Sequence, residues 1–415
     1  MNLKLRLTVL SFLQFFVWGA WLISLGGYLF VTLKFTGSQI GQVFATLGIA
    51  SFFMPTIVGI IADKYINAQK LLGILHILGA GLIYLASTYA TFDQFYLAVL
   101  GVSLLYMPTI PLSYSVSYSI LEKNNYDTVK TFPNIRVWGT VGFIVALWIT
   151  DLAGFSFNKN QFILSAVAGI ALGIYSFTLP NVETSKVQNK TWVQTLGLDA
   201  FRLFREKRMF IFFLFSVLIG CCLQITNAFG KTFIDDFKAV PEFAETFAVQ
   251  HSGIIISISQ ISETLFILAI PYFLKKFGIK KVMIMSIIAW VFRFAFFVIA
   301  QPSGLGLVFL ISSMVIYGMA FDFFLISGSL FIEKESPKEI RSSAQGLFMM
   351  MSNGLGAIIG GYLSGKVVDY FTTDGVKDWS SIWLTFAIYA AILVVLFPIF
   401  FKYKHRPEEI GEVSH

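Results

Sequence analysis

Residues 7–31 read LTVLSFLQFFVWGAWLISLGGYLFV, a stretch without one acid or base. A bilayer core about 30 Å thick is crossed by about 20 apolar residues in a helix. The stretch is long enough to span, and too long for the apolar core of a signal peptide. Met1-Asn2-Leu3-Lys4-Leu5-Arg6 resembles a signal n-region, but no Ala-x-Ala site follows. The segment therefore reads as an uncleaved first membrane helix.

Eleven further stretches of this kind follow. With the first they predict helices near 7–31, 39–62, 71–91, 94–120, 133–153 and 161–179, then 209–234, 250–274, 281–301, 305–332, 342–367 and 380–401. The fold class expected is an all-α membrane protein of twelve transmembrane helices. A six-helix bundle over 1–180 precedes a polar middle loop over 181–208. A second bundle spans 209–402, and 403–415 forms a tail. Composition agrees: of 415 residues, 56% are hydrophobic and 13% charged, against about 25% charged in a soluble domain. Mean hydropathy is +0.76, so the apolar excess is global and the chain's solvent is lipid.

The formal charge of +7 does not point to nucleic acid, because the basic residues sit in loops between apolar runs. They act as topology determinants. Alternating the twelve helices from a cytoplasmic N-terminus puts 22 of the 30 lysines and arginines in cytoplasmic segments and 6 in external ones. Arg136 and Arg293 remain inside helices. Such a bias places both termini and the middle loop in the cytoplasm.

The two halves repeat one another. The fifth helix opens with Ile135-Arg136 and passes Gly142-Phe143; the eleventh opens with Ile340-Arg341 and passes Gly346-Leu347-Phe348. Two related six-helix halves are the layout of many secondary transporters, with substrate held near the midplane between them. Gly59-x-x-x-Asp63-Lys64, at the turn after the second helix, resembles the signature loop of the major facilitator superfamily. Gly356-x-x-x-Gly360 and Gly361-x-x-x-Gly365 in the eleventh helix predict close helix packing or a sliding contact.

Polar groups inside a membrane cost energy and persist for a reason. The fifth helix carries Arg136, Thr140 and Phe143 at i, i+4, i+7, one face. Arg136 either snorkels to the interface or is a donor at the bottom of a cavity. The seventh carries Gln224 and Asn227, amides with both donors and an acceptor. They suit a neutral polyhydroxyl or nucleobase ligand, or bond helix to helix. The eighth carries Gln260 and Glu263 with Ser259 and Ser262. A buried carboxyl that gains and loses a proton between two exposures is what proton coupling needs, and an inert structural pair is the alternative. The tenth carries Tyr317 and Phe321 on one face, and Asp322. Arg293 in the ninth is expected either to pair with Asp322 or to leave that acid as a proton carrier. Gln14, Trp18 and Trp21 share a face of the first helix, facing lipid or core, or stacking on a base. Pro108 and Pro111 break the fourth helix above Tyr114 and Tyr118.

Nothing suggests catalysis or a cofactor. There is no His-Glu-x-x-His, no Gly-x-x-x-x-Gly-Lys and no Gly-x-Ser-x-Gly, and the four histidines are scattered. Cys221 and Cys222 are adjacent, unsuited to an ordinary disulfide, and read as small packing residues. Without a nucleotide-binding motif, energy must come from an ion gradient.

Several runs carry a resemblance. They are Met1–Leu5, Phe132-Pro133-Asn134-Ile135-Arg136-Val137-Trp138-Gly139-Thr140, Leu223-Gln224-Ile225-Thr226-Asn227, Ser257 through Phe266 with its Gln-Ile-Ser-Glu-Thr core, and Tyr317-Gly318-Met319-Ala320-Phe321-Asp322-Phe323-Phe324. Over essentially the whole chain they resemble the nucleoside:proton symporter family of the major facilitator superfamily. The resemblance implies a monomeric carrier in a bacterial cytoplasmic membrane, moving nucleosides with protons. It implies nucleoside contacts at Arg136, Thr140, Phe143, Gln224, Asn227, Gln260, Glu263, Tyr317 and Phe321, and an acid needed for transport at Asp322. The residues alone equally allow a proton-coupled sugar symporter.

Overall fold

The computed structural model describes residues 2–182 and 198–403. Most of the expected middle loop (183–197) and of the tail (404–415) lies outside the described residues. In lipid every backbone N–H and C=O must be satisfied within the segment, so apolar runs of this length become helices. Among the described residues twelve helices are long and apolar enough to cross a bilayer. They are α1 (Leu3–Val31), α2 (Gly37–Lys64), α3 (Ala68–Ala86), α4 (Phe92–Lys123), α5 (Lys130–Leu152) and α6 (Asn160–Thr178), then α7 (Lys207–Ala239), α8 (Ser252–Phe277), α9 (Ile279–Ile299), α10 (Gly304–Glu335), α11 (Lys338–Tyr370) and α12 (Trp379–Phe400).

Three of these helices are interrupted. α1 breaks at Ala20–Trp21. α4 breaks at Met107–Pro108, as its prolines predict. α11 contains one π turn, Met350–Leu355. Between α11 and α12 a two-stranded hairpin pairs β1 (Thr372–Thr373) with β2 (Val376–Lys377). Its turn residues Asp374 and Gly375 both have positive φ, 51° and 81°, as a tight hairpin turn requires.

α1 packs on α5 and α6, α3 on α4 and α6, and α9 on α10 and α12. Contacts between the first six and last six spans gather at the end remote from Lys64. There α2 lies along α11, α1 along α7, and α5 along α8. The carboxylate of Asp369 on α11 accepts from the backbone N–H of Gly37 and Ser38 at 2.6 and 2.8 Å. Those are among the donors that the start of α2 leaves without partners. Below them the α2 and α11 backbones touch: a Cβ on Gly361 would lie 2.5 Å from the Gly41 carbonyl oxygen. On the neighbouring seam Asp151 of α5 accepts from Gly253 N–H at 3.1 Å and faces His251 Nδ1 at 3.6 Å. Trp148 Nε1 donates to Ser257 Oγ at 2.9 Å.

Behind that seam Lys231 and Asp235 form a buried pair one turn apart on α7, at 3.0 Å. Ser252 Oγ donates to the same carboxylate. Lys231, counted with the external basic residues in the charge tally, thus lies buried inside α7, where Asp235 offsets its charge.

Candidate functional site

One cavity of about 1350 Å³ lies between the first six and last six spans. It reaches from Leu22, Leu47 and Gln224 down to Asp63, Lys64, Asp199 and Glu339 at the end where α2 finishes. Among the described residues that end is open, and the opposite end is closed by the contacts above.

Arg136, Thr140, Phe143, Gln224, Asn227, Gln260, Glu263, Tyr317, Phe321 and Asp322 all line this cavity. Helical spacing brings them there from α5, α7, α8 and α10, four helices distant in sequence. Arg136 does not snorkel out. Its guanidinium lies over the Tyr114 ring, 5.7 Å from the centroid, within the electrostatic reach of Glu263 and Asp322. Two carboxyl groups and one guanidinium thus line the same cavity. If both were ionised the trio would carry one excess negative charge, and one proton makes it neutral.

The aromatic residues supply flat walls. Tyr317 and Phe321 are stacked at 6.0 Å and 13°. Phe143 meets Trp18 edge-on at 6.2 Å. α1 and α5 approach closely enough for this because Gly142 faces the α1 backbone at Phe12, where a Cβ would overlap the carbonyl. Gln224 Nε2 donates 3.1 Å to the Phe44 carbonyl of α2, so this amide bonds helix to helix while lining the cavity.

The expected Arg293–Asp322 pair does not form. Arg293 points away from the cavity: its guanidinium donates to the Ser313 carbonyl at 2.6 Å and to Ser259 Oγ at 3.5 Å. It lies 4.6 Å from the Tyr317 ring centroid, so the cation is held by carbonyl, hydroxyl and π face. Asp322 Oδ2 is buried without a hydrogen-bond partner. The tenth helix places Asp322 on the cavity side and Tyr317 between the two charges, an order that residue types alone do not reveal.

Other expectations divide. Trp18 lines the cavity. Trp21 is core against Phe162. Gln14 is spent inside the first six spans, bonded to His76 Nε2 and Thr109 Oγ1 at 2.8 Å each. Tyr114 lines the cavity, whereas Tyr118 packs on Phe132 at 4.2 Å. Cys221 and Cys222 are buried free thiols. Sequence reasoning missed Ser352 and Asn353, which the π turn of α11 brings to the cavity wall. The signal was a polar pair inside an apolar helix.

A family model described as a nucleoside H+ symporter matches residues 1–406. The chain belongs to the nucleoside H+ symporter family. Nucleoside permease NupG of Escherichia coli (strain K12) is 52% identical over 418 residues, covering 100% of both chains. Xanthosine permease of the same organism is 49% identical over 411 residues, covering 99% of this chain and 98% of the relative. A crystal structure of a NupG mutant superposes with a TM-score of 0.95 at 51% identity, over 97% of this chain and 100% of that one. A POT family transporter bound to a thioalcohol-conjugated peptide, 14% identical, gives a TM-score of 0.72 over 96% and 95% of the two chains. That likeness shows the fold alone. The fold is the major facilitator fold. With twelve spans and this family membership, the chain is a multi-pass inner-membrane transporter of nucleosides and protons, not an enzyme.

Proposed function

We propose that the chain takes up purine and pyrimidine nucleosides such as uridine and adenosine together with protons, as a monomer working by alternating access. In this reading residues 1–180 and 209–402 are two bundles that rock about the cavity. The observation that carries the reading is the cavity wall: amides, hydroxyls and flat aromatic faces surround a charge trio that one proton neutralises. The amides meet ribose hydroxyls and base edges, and Phe143, Tyr317 and Phe321 meet the base. Glu263 takes the proton, with Asp322 as the second acid of the trio. Proton and nucleoside then favour the same closed, dry intermediate, because a neutral trio is cheaper to enclose than a charged one. That shared preference is what coupling consists of.

Substituting Gln224, Asn227 or Gln260 by Ala is expected to weaken uridine binding by about three- to tenfold each, the worth of one hydrogen bond. Equilibrium binding to purified protein reads this, with a disaccharide as competitor. Unchanged affinity in all three variants would move the site elsewhere. Displacement of uridine by the disaccharide would favour the sugar reading.

The basic bias puts both termini and the middle loop in the cytoplasm, and the cavity then opens inward. A cysteine placed at Glu245 should react with an impermeant maleimide on intact cells, and one at Asn189 should not. Both native cysteines are buried, so the background is low. The reverse pattern would invert the topology.

A further inference from the structure

α11 lines the cavity with apolar Leu347, Met349, Met350 and Ala357 and, nearer the open end, with polar Glu339, Ser342 and Ser343. Among the apolar ones stand Ser352 and Asn353, on the one π turn found among the described residues. π turns inside α-helices recur at functional sites, because the extra residue re-aims the side chains around it. This turn is wedged between two other helices. A Cβ on Gly220 of α7 would overlap the Ser352 carbonyl, and a Cβ on Gly48 of α2 would lie 2.5 Å from the Gly354 carbonyl. The turn is fixed by backbone contact on both flanks, so Asn353 is held where it is.

The Asn353 amide is poorly served there. Its Oδ1 is buried and accepts no hydrogen bond. Its Nδ2 has only the Met349 sulfur at 3.7 Å, a weak acceptor. A buried amide oxygen left without a donor is costly, and hydrophobic side chains of this size would fill the same wall without that cost. Asn353 borders the cavity, and a half-turn of its amide about the last side-chain torsion exchanges oxygen and nitrogen, which brings the unpartnered oxygen to the cavity side where a ligand can serve it.

We propose that Asn353 is a further substrate-binding residue, and that it bonds a ribose hydroxyl of the nucleoside. This rests on the nucleoside reading above. The choice of the sugar follows from the position of the turn. Ser352 meets α7 at Gly220, one helical turn from Gln224 and two from Asn227. Asn353 is the next residue along that turn, on the α7 flank of the cavity wall, whereas the ring faces that suit a base belong to α5 and α10. An amide answers a hydroxyl in both directions, accepting its proton at Oδ1 and donating from Nδ2.

The test compares wild type with Asn353→Ala in equilibrium binding of uridine, 2′-deoxyuridine and 3′-deoxyuridine. Wild type is expected to bind one deoxy analogue less tightly than uridine. Asn353→Ala is expected to weaken uridine by about three- to tenfold and to leave that deoxy analogue's affinity unchanged, so that variant and missing hydroxyl remove the same interaction. A residue that only shapes the π turn would weaken all three ligands alike, and that result overturns the proposal. So does equal binding of uridine by variant and wild type. Failure of wild type to bind any nucleoside would instead sink the nucleoside reading and this inference together. Asn353→Ser, a shorter polar side chain, carries the same comparison if Asn353→Ala does not fold.

Discussion

Glu263→Gln protein in liposomes should exchange labelled uridine in counterflow yet fail to concentrate it under an inwardly directed proton gradient. Glutamine keeps the shape and hydrogen-bonding reach of the protonated acid but cannot release a proton. The variant's trio is permanently short of one negative charge, so the loaded and empty carriers reorient with the same charge. Nucleoside then moves without a proton, and its gradient runs down to equality. For one proton per nucleoside, a gradient of one pH unit supports about tenfold accumulation, or about 1.4 kcal/mol. The wild-type ratio should approach that figure and the variant's should stay near one. Accumulation by Glu263→Gln equal to wild type would remove Glu263 as carrier and leave Asp322, the other cavity carboxyl, in that role.

Gly361→Leu should nearly abolish uptake while the protein still folds. A Cβ at this position would lie 2.5 Å from the Gly41 carbonyl, and neither partner is a flexible side chain that can swing aside. α2 and α11 must part, and the two bonds from Asp369 to Gly37 and Ser38 part with them. Overpacking of this kind costs about 3 kcal/mol, which lowers the population of the state closed at that end by about a hundredfold. A carrier that cannot close one end cannot complete its cycle. Uptake in cells, read beside maleimide reactivity of a cysteine at Ser38, separates the causes: uptake should fall and reactivity rise. Gly81→Leu, where a Cβ meets nothing within 4 Å, is the control for adding a leucine to a span. Uptake by Gly361→Leu equal to the control's would show that this contact is not part of the cycle.

The twelve spans were legible because lipid makes one demand of every backbone group, and twenty apolar residues announce that it is met. Span ends were legible to within a few residues, since the charges that end them sit in water. The cavity-facing set was legible for a related reason. Arg136, Glu263 and Asp322 are costly inside a membrane, so each invited a search for neighbours along its own helix. Which neighbour it meets on another helix was not legible. Arg293 and Asp322 are the obvious opposite charges of adjacent helices, yet Tyr317 lies over the guanidinium and the carboxylate faces the other way. Gln14 shares a helical face with Trp18, but His76 and Thr109 of neighbouring helices take its amide while Trp18 reaches the cavity. The π turn at Met350–Leu355 had no sequence signature, and its close neighbours, Gly220 and Gly48, lie on two other helices far away in sequence. The closing contacts of Asp369, Asp151 and His251 were missed because each joins residues a hundred or more positions apart.

The most direct test of the account is uptake of labelled uridine by wild-type protein in liposomes, with the interior buffered one pH unit above the exterior. The account predicts accumulation above the external concentration, abolished by a protonophore and by equal pH on both sides, and competed by adenosine but not by a disaccharide. Uptake that only equilibrates and ignores the gradient, or accumulation that a disaccharide competes and adenosine does not, would contradict it.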